Sequence, residues 1–483
     1  MNKIKINFFY QTMYQILTMI LPLVTSPILS RALGATGLGI YSYTTNIVNY
    51  FILFANLGIY RYGIRCIASA GNDRKKRSQL FWEILLTHCI ISFVVFVTYM
   101  TFVFFVQVEY FKYYLVLSLM LFGEIININW FFFGIEEYKN IAIRDMVIKC
   151  ITFLLIIFFV KNKNSLYIYF IIMTTSSLIS NSIYFFMIKG KVDKTKIDIK
   201  NITLHFKQMI ILFIPAFLET MYISIDKIML GNYGSKTMVG YFDNAEKALI
   251  SKTLIYSLTN VMFPRMSFLL SENRLEEFDQ LMTKSTNIIY FSAIAFAFGT
   301  ASVAKEFAIV FWGTDFIACV PIIMVLAFTI PANVLSREIR DQYLIPKQRN
   351  KEYIMVMAIG AGIDIMLDIA LIPILGAVGA AYATLITEYL MLVIQIIMIK
   401  KDWNFLKYFN FKDILSYVMF GLCMMYTCRM VGNYFQAHLG TLVLEILVGI
   451  VIFISLSLVY WKITNNKMLL GLVTTIVRRK NEI

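Results

Sequence analysis

Long apolar runs follow one another along nearly the whole chain, parted by short polar segments rich in Lys and Arg. A hydrocarbon core about 30 Å thick is crossed by about 20 mostly apolar residues in helical form, so blocks of that length count the crossings, and about fourteen are present. They cover residues 7–31, 37–60, 80–106, 113–135, 141–160, 165–188, 208–230, 239–264, 285–304, 317–336, 352–373, 376–399, 413–433 and 440–461. Backbone N–H and C=O groups find no water in the bilayer, so each block is predicted to be a helix. The first block follows Lys3 and Lys5 but exceeds the h-region of a signal peptide and leads straight into the second, so it reads as a retained helix. The expectation is an all-α polytopic membrane protein.

Composition agrees: of 483 residues, 59% are hydrophobic and 15% charged, with mean hydropathy +0.71. The net charge of +15 gains meaning from its placement. With the N-terminus inside, the alternation of segments puts 33 of the 44 basic residues on the cytoplasmic side, 7 outside and 4 within spans. That bias follows the positive-inside rule and predicts a multi-pass protein of the cytoplasmic (inner) membrane with both termini cytoplasmic. The basic excess is then a face solvated beside anionic membrane lipids, and no nucleic-acid partner is expected. Six cysteines and three histidines are too scattered to suggest a disulfide framework or a metal site, and no cofactor is expected.

The longest internal hydrophilic segment, KGKVDKTKIDIKNITLHFK at 189–207, divides the chain. It predicts an N-terminal six-helix lobe over 1–188, a cytoplasmic linker over 189–207, a second six-helix lobe over 208–400, and two additional helices with a cytoplasmic tail over 401–483. The halves rhyme weakly at their starts: Pro22, Leu33-Gly34 and Gly39-Ile40-Tyr41 against Pro215, Leu230-Gly231 and Gly240-Tyr241. Six crossings return the chain to one side, so the lobes would be parallel repeats. Residues 468–480 read as an amphipathic segment on the inner leaflet.

Polar residues recur at helical intervals in the first two blocks: Gln11, Tyr14, Thr18 and Thr25, then Thr45, Asn49 and Asn56. Such stripes either bond neighbouring helices or wet a cavity. Glu219, Tyr222 and Asp226 share a face by their spacing, and Asp243 with Lys247 at i, i+4 could neutralise one another. Asp364 and Asp368 stand one turn apart, where two buried carboxylates would repel unless a proton, a monovalent cation or a basic partner intervenes. The run from Gly231 to Thr237 looks superficially like a phosphate loop, yet Ser235 and not Gly stands directly before Lys236. No HExxH, GxSxG or paired-Cys motif indicates an enzyme.

The segments PILSRALGATGLGIYSY (27–43), IDKIMLG (225–231), VGYFDNAEKAL (239–249), FPRMS (263–267) and LIPILGAVGAAYATLITEYL (371–390) resemble the polysaccharide transporter family of the multidrug/oligosaccharidyl-lipid/polysaccharide exporter superfamily. The resemblance implies two six-helix lobes around a central cavity, and a flippase carrying an isoprenoid-diphosphate-linked oligosaccharide from the inner to the outer leaflet by alternating access. On that reading Arg31, Lys227, Lys247 and Lys252 hold the diphosphate while Gln11, Thr18 and Asn49 hydrate the sugars. Asp364 and Asp368 stand where the family commonly has Asn, and with Glu219 and Asp226 are candidates for coupling to H⁺ or Na⁺. An ion-coupled drug or organic-cation antiporter, with a more acidic aromatic cavity, is the alternative. A membrane-embedded glycan polymerase or ligase would need a larger external domain than these short loops provide.

Overall fold

The computed structural model describes residues 3–106 and 109–465, and among them there is no strand. The first helix, α1 (Lys3–Asn56), is two rods that meet at Gly34, whose φ of 68° and ψ of 176° suit a residue without Cβ. Helix α2 (Ile59–Ala70) follows a turn at Gly58. Helix α3 (Arg74–Phe105) starts at Asp73, whose side chain accepts from the Lys76 N–H at 3.0 Å. Next come α4 (Phe111–Ile125), α5 (Asn129–Gly134), α6 (Tyr138–Phe159), α7 (Leu166–Met187) and α8 (Ile199–Tyr233). The remainder is α9 (Lys236–Lys247), α10 (Ser251–Ser271), α11 (Leu275–Ser302), α12 (Ala304–Trp312), α13 (Cys319–Ala327), α14 (Thr329–Ile339), α15 (Asn350–Leu375), α16 (Ala377–Ile399), α17 (Phe411–Tyr434) and α18 (Leu439–Ile463).

Among the described residues, ten helical stretches are long and apolar enough to cross a membrane, and eleven if α11 and α12, bent by 63°, make one. The fourteen expected blocks all fall on helix, and the shortfall has local causes. The first two blocks join through Gly34. Block 141–160 carries Arg144, Asp145 and Lys149, and block 239–264 is broken after Lys247 by a short 3₁₀ turn. The amphipathic expectation at 468–480 lies outside the described residues.

The chain forms two compact units, residues 1–231 and 232–483. The boundary falls beyond the expected linker because that linker is tied to the first unit. Lys191 pairs with Glu137, and Arg74 with Asp193 at 2.7 Å. Trp82 Nε1 donates to the Asp193 carbonyl at 3.0 Å. Helix α8 already begins at Ile199, and its first turns meet a buried carboxylate: Glu83 accepts from Asn201 Nδ2 at 3.0 and 3.1 Å and lies 3.2 Å from His205 Nε2. The other nitrogen of His205 is 2.7 Å from the Tyr62 hydroxyl. Farther along, Phe213 and Phe217 lie against Phe54 of α1, and Gly231 lets the Tyr43 ring seat where a Cβ would intrude at 2.0 Å. Phe81, Trp130, Phe131, Phe132 and Tyr184 form an aromatic core at this end of the unit.

In the second unit the LIPILGAVGAAYA segment is a helical hairpin of α15 and α16. Pro373 lies in the last turn of α15, Gly376 caps that helix and turns the chain at φ 59°, and a Cβ on Gly379 would lie 2.4 Å from the Leu371 carbonyl oxygen. Helices α17 and α18 belong to this unit as well. A Cβ at Gly421 would strike the Phe298 ring of α11 at 2.4 Å, and Trp461 Nε1 donates to the Tyr417 hydroxyl at 2.7 Å. The loop after α16 is strapped to α11, with Lys407 2.6 Å from Asp279 and the Tyr408 hydroxyl donating to the same carboxylate. Burial, with the bond to Asp279 adding to it, raises the Tyr408 hydroxyl above its ordinary range, so it stays the donor.

Candidate transport site

Helix α6 brings three charges together in the first unit. Arg144, with a side chain 9% exposed, donates through Nε to Asp145 at 3.1 Å and through Nη1 to the Ser180 carbonyl at 3.0 Å. Its guanidinium lies 3.6 Å from the centre of the Tyr184 ring, a stacking a lysine could not reproduce. One turn on, Lys149 points over Tyr14 at 5.7 Å. Among the described residues, no carboxylate lies within salt-bridge reach of its ammonium. These groups line a cavity of about 460 Å³ together with Gln11 of α1, Tyr60 of α2, Asn129 of α5 and Asn181 of α7. With two cations against one carboxylate, its wall suits an anion beside sugar-sized hydrogen-bonding groups.

The second unit holds a like arrangement. Arg337 lies 4.2 Å over the Tyr256 ring and bonds Asp341 at 3.0 Å, and Arg340 bonds the same carboxylate at 2.9 Å. The Tyr256 hydroxyl donates to Asn333, whose Nδ2 donates to Glu388 at 2.5 Å, while Ser336 donates to Gln395 at 2.8 Å. The chain there widens into a π turn over 340–344, a distortion that often marks function. Each unit thus carries an arginine clamped by an aspartate and laid on a tyrosine.

Residues 4–270, more than half of the chain, match the family described as polysaccharide biosynthesis protein. The chain belongs to that family. It is 23% identical over 410 residues to the "Putative O-antigen transporter" of Escherichia coli (strain K12), an alignment spanning 83% of this chain and 98% of the relative. A protein of the same name from Shigella dysenteriae is 21% identical over 360 residues, 72% of this chain and 88% of its own. Among solved structures, the lipid II flippase MurJ in an inward closed conformation superposes with TM-score 0.74 at 16% identity, covering 93% of this chain and 99% of that one. An inward-facing multidrug resistance MATE family transporter of the MOP superfamily gives TM-score 0.58 at 15% identity, over 81% and 94%. At such identities the structural likeness is one of fold.

In this family member, Gln11 and Tyr14 are the residues singled out from sequence that line the first cavity. Thr18 turns its hydroxyl back onto the Gln15 carbonyl at 2.8 Å, and Asn49 is half-buried on α1. Arg31 is exposed just before the break at Gly34. Lys247, also exposed, pairs with Asp243 at 2.7 Å and bonds Asn244 at 3.1 Å, and Lys252 is half-buried at the start of α10. On α8, Glu219 and Lys227 are half-buried and Asp226 is buried. Asp364 and Asp368 are both fully buried, one turn apart on α15.

Arg144, Arg337 and Arg340 are not among the residues singled out from sequence, and the structure sets all three in helical turns. Their signal was faint but present: an Arg-Asp pair, or Arg-x-x-Arg-Asp, abuts an apolar block with Asn or Gln in the same block or the next.

Proposed function

We propose that this protein is a flippase that carries an isoprenoid-diphosphate-linked oligosaccharide from the inner to the outer leaflet of the cytoplasmic membrane, by alternating access of two lobes, for surface polysaccharide assembly. The observation that carries the reading is the Arg144–Lys149 cavity, a polar and net cationic recess in the first unit. A diphosphate crossing low dielectric needs cationic partners and fixed donors, which Lys149 and Arg144 supply, with Arg337 and Arg340 offering the same chemistry in the second unit. Tyr14, Tyr60 and Tyr184 give flat faces for sugar rings, and Gln11, Asn129 and Asn181 give amide groups for their hydroxyls.

Alternating access calls for energy coupling, and the Asp364–Asp368 pair, with Glu219 and Asp226 after it, is our candidate for binding H⁺ or Na⁺. The cytoplasmic placement of both termini and of the 189–207 segment rests on the 33 to 7 division of basic residues. An organic-cation antiporter would call for an excess of carboxylates, and the first cavity has the opposite balance. Membrane-derived lipids retained through mild purification test the substrate class. Mass spectrometry is expected to find a lipid diphosphate-sugar on the parent and several-fold less on Lys149→Gln. Equal retention by the two proteins would overturn the assignment of this cavity.

A further inference from the structure

Helices α3 and α8 leave between them an apolar groove of about 400 Å³, walled by Ile90, Ile91, Val94 and Val95 on one side and by Thr203 and Phe206 on the other. Ile90, Val94 and Phe206 are 48%, 59% and 41% exposed, so the groove is open along the outside of the first unit. At its edge on α8, Lys200, Thr203 and Lys207 follow at i, i+3 and i+7, one stripe on the helix surface, and all three are exposed. Among the described residues, neither ammonium has a carboxylate partner. Of the acids near the start of α8, Asp198 accepts from the Lys200 backbone N–H at 3.0 Å, and Glu83 is buried among Gln79, Asn201 and His205.

We infer that this groove is a binding site for an anionic phospholipid, one acyl chain lying between α3 and α8 with its phosphate held by Lys200, Lys207 and the Thr203 hydroxyl. Charge complementarity selects the occupant. Two uncompensated ammonium groups and a hydroxyl stand on one stripe beside a wall of branched aliphatic side chains, which matches a phosphodiester joined to a hydrocarbon chain. A zwitterionic phospholipid would bring its own ammonium against the lysines. Such a lipid would brace the start of α8 where Glu83 and His205 already hold it, and this site stands independently of which substrate the protein carries.

The test uses the full-length protein, stripped of lipid in mild detergent and offered equal phosphatidylglycerol and phosphatidylethanolamine, with bound lipid counted by native mass spectrometry. The parent is expected to prefer phosphatidylglycerol, and the surface change K200Q/K207Q to reduce that preference by roughly ten-fold or more. Val94→Trp, at an exposed position, fills the groove and is expected to lower phosphatidylglycerol occupancy with both lysines intact. K194Q/K196Q removes the same charge from exposed positions before the helix and is expected to leave the preference unchanged. Undiminished preference in K200Q/K207Q, full occupancy in Val94→Trp, or an equal loss in K194Q/K196Q would each overturn the proposal, the last by showing diffuse attraction to a basic segment.

Discussion

Lys149 and Arg144 line one cavity, but their removal has different consequences. Arg144 is committed to Asp145, Ser180 and Tyr184, so deleting it strands a half-buried carboxylate, a loss on the order of 3–5 kcal/mol for buried pairs. Lys149 has no such dependant. Lys149→Gln should therefore weaken substrate binding roughly ten-fold at normal membrane abundance, taking one charge-assisted hydrogen bond as about 1.5–3 kcal/mol. Arg144→Gln should lower abundance as well, so immunoblots beside binding assays separate the two. Asp364 and Asp368 make the complementary case, since two fully buried carboxylates one turn apart cannot both hold full charge without a counter-ion. Asp364→Asn with Asp368→Asn is expected to abolish the dependence of transport on imposed pH or Na⁺ gradients in vesicles. A double mutant with the parent's gradient dependence would make the pair structural and turn attention to Glu219 and Asp226.

The helices are held by small residues and by a few buried polar knots, as expected where lipid offers no hydrophobic contrast. Gly379 sits 2.4 Å, by its absent Cβ, from the Leu371 carbonyl, whereas nothing lies within 4 Å of the same point at Gly362. Gly379→Ala should destabilise the purified protein by roughly 1–3 kcal/mol, as overpacking does, and Gly362→Ala should not. A thermal-unfolding comparison of the two checks this. The knot at Glu83 makes a parallel prediction: Glu83→Ala leaves Asn201 and His205 without their acceptor, and should free the start of α8 to faster hydrogen exchange. Helix positions were legible in the sequence because a crossing needs a long apolar run. The break at Gly34 was legible too, falling between blocks 7–31 and 37–60 beside Arg31, whereas the 3₁₀ turn after Lys247, inside block 239–264, was not. Arg144 was passed over because a charge near the end of an apolar block marks the membrane edge on average, and only its three-dimensional partners show that it turns inward. Lys247 and Lys149 both lie in apolar blocks, and that position alone cannot distinguish the first, paired with Asp243, from the second, lining a cavity.

At the scale of the molecule, the two units each present an arginine–aspartate–tyrosine cluster, and the 189–198 segment is fastened to the first. On the proposed orientation that segment faces the cytoplasm. A single cysteine at Lys194 in a cysteine-free background should react with impermeant maleimide in inverted vesicles and stay silent in intact cells; reaction in intact cells would reverse the topology. The central claim is movement of a lipid diphosphate-oligosaccharide, and reconstitution tests it most directly. The full-length protein is placed in liposomes bearing a fluorescent isoprenoid-diphosphate glycan, and the exposure of the glycan to an impermeant lectin or quencher is followed under pH and Na⁺ gradients. The account predicts exchange between leaflets with the parent, a rate lower by roughly ten-fold with Lys149→Gln, and no exchange in protein-free liposomes. Exchange at the parent's rate in Lys149→Gln combined with Arg337→Gln, or none by a folded parent under any gradient, would contradict it.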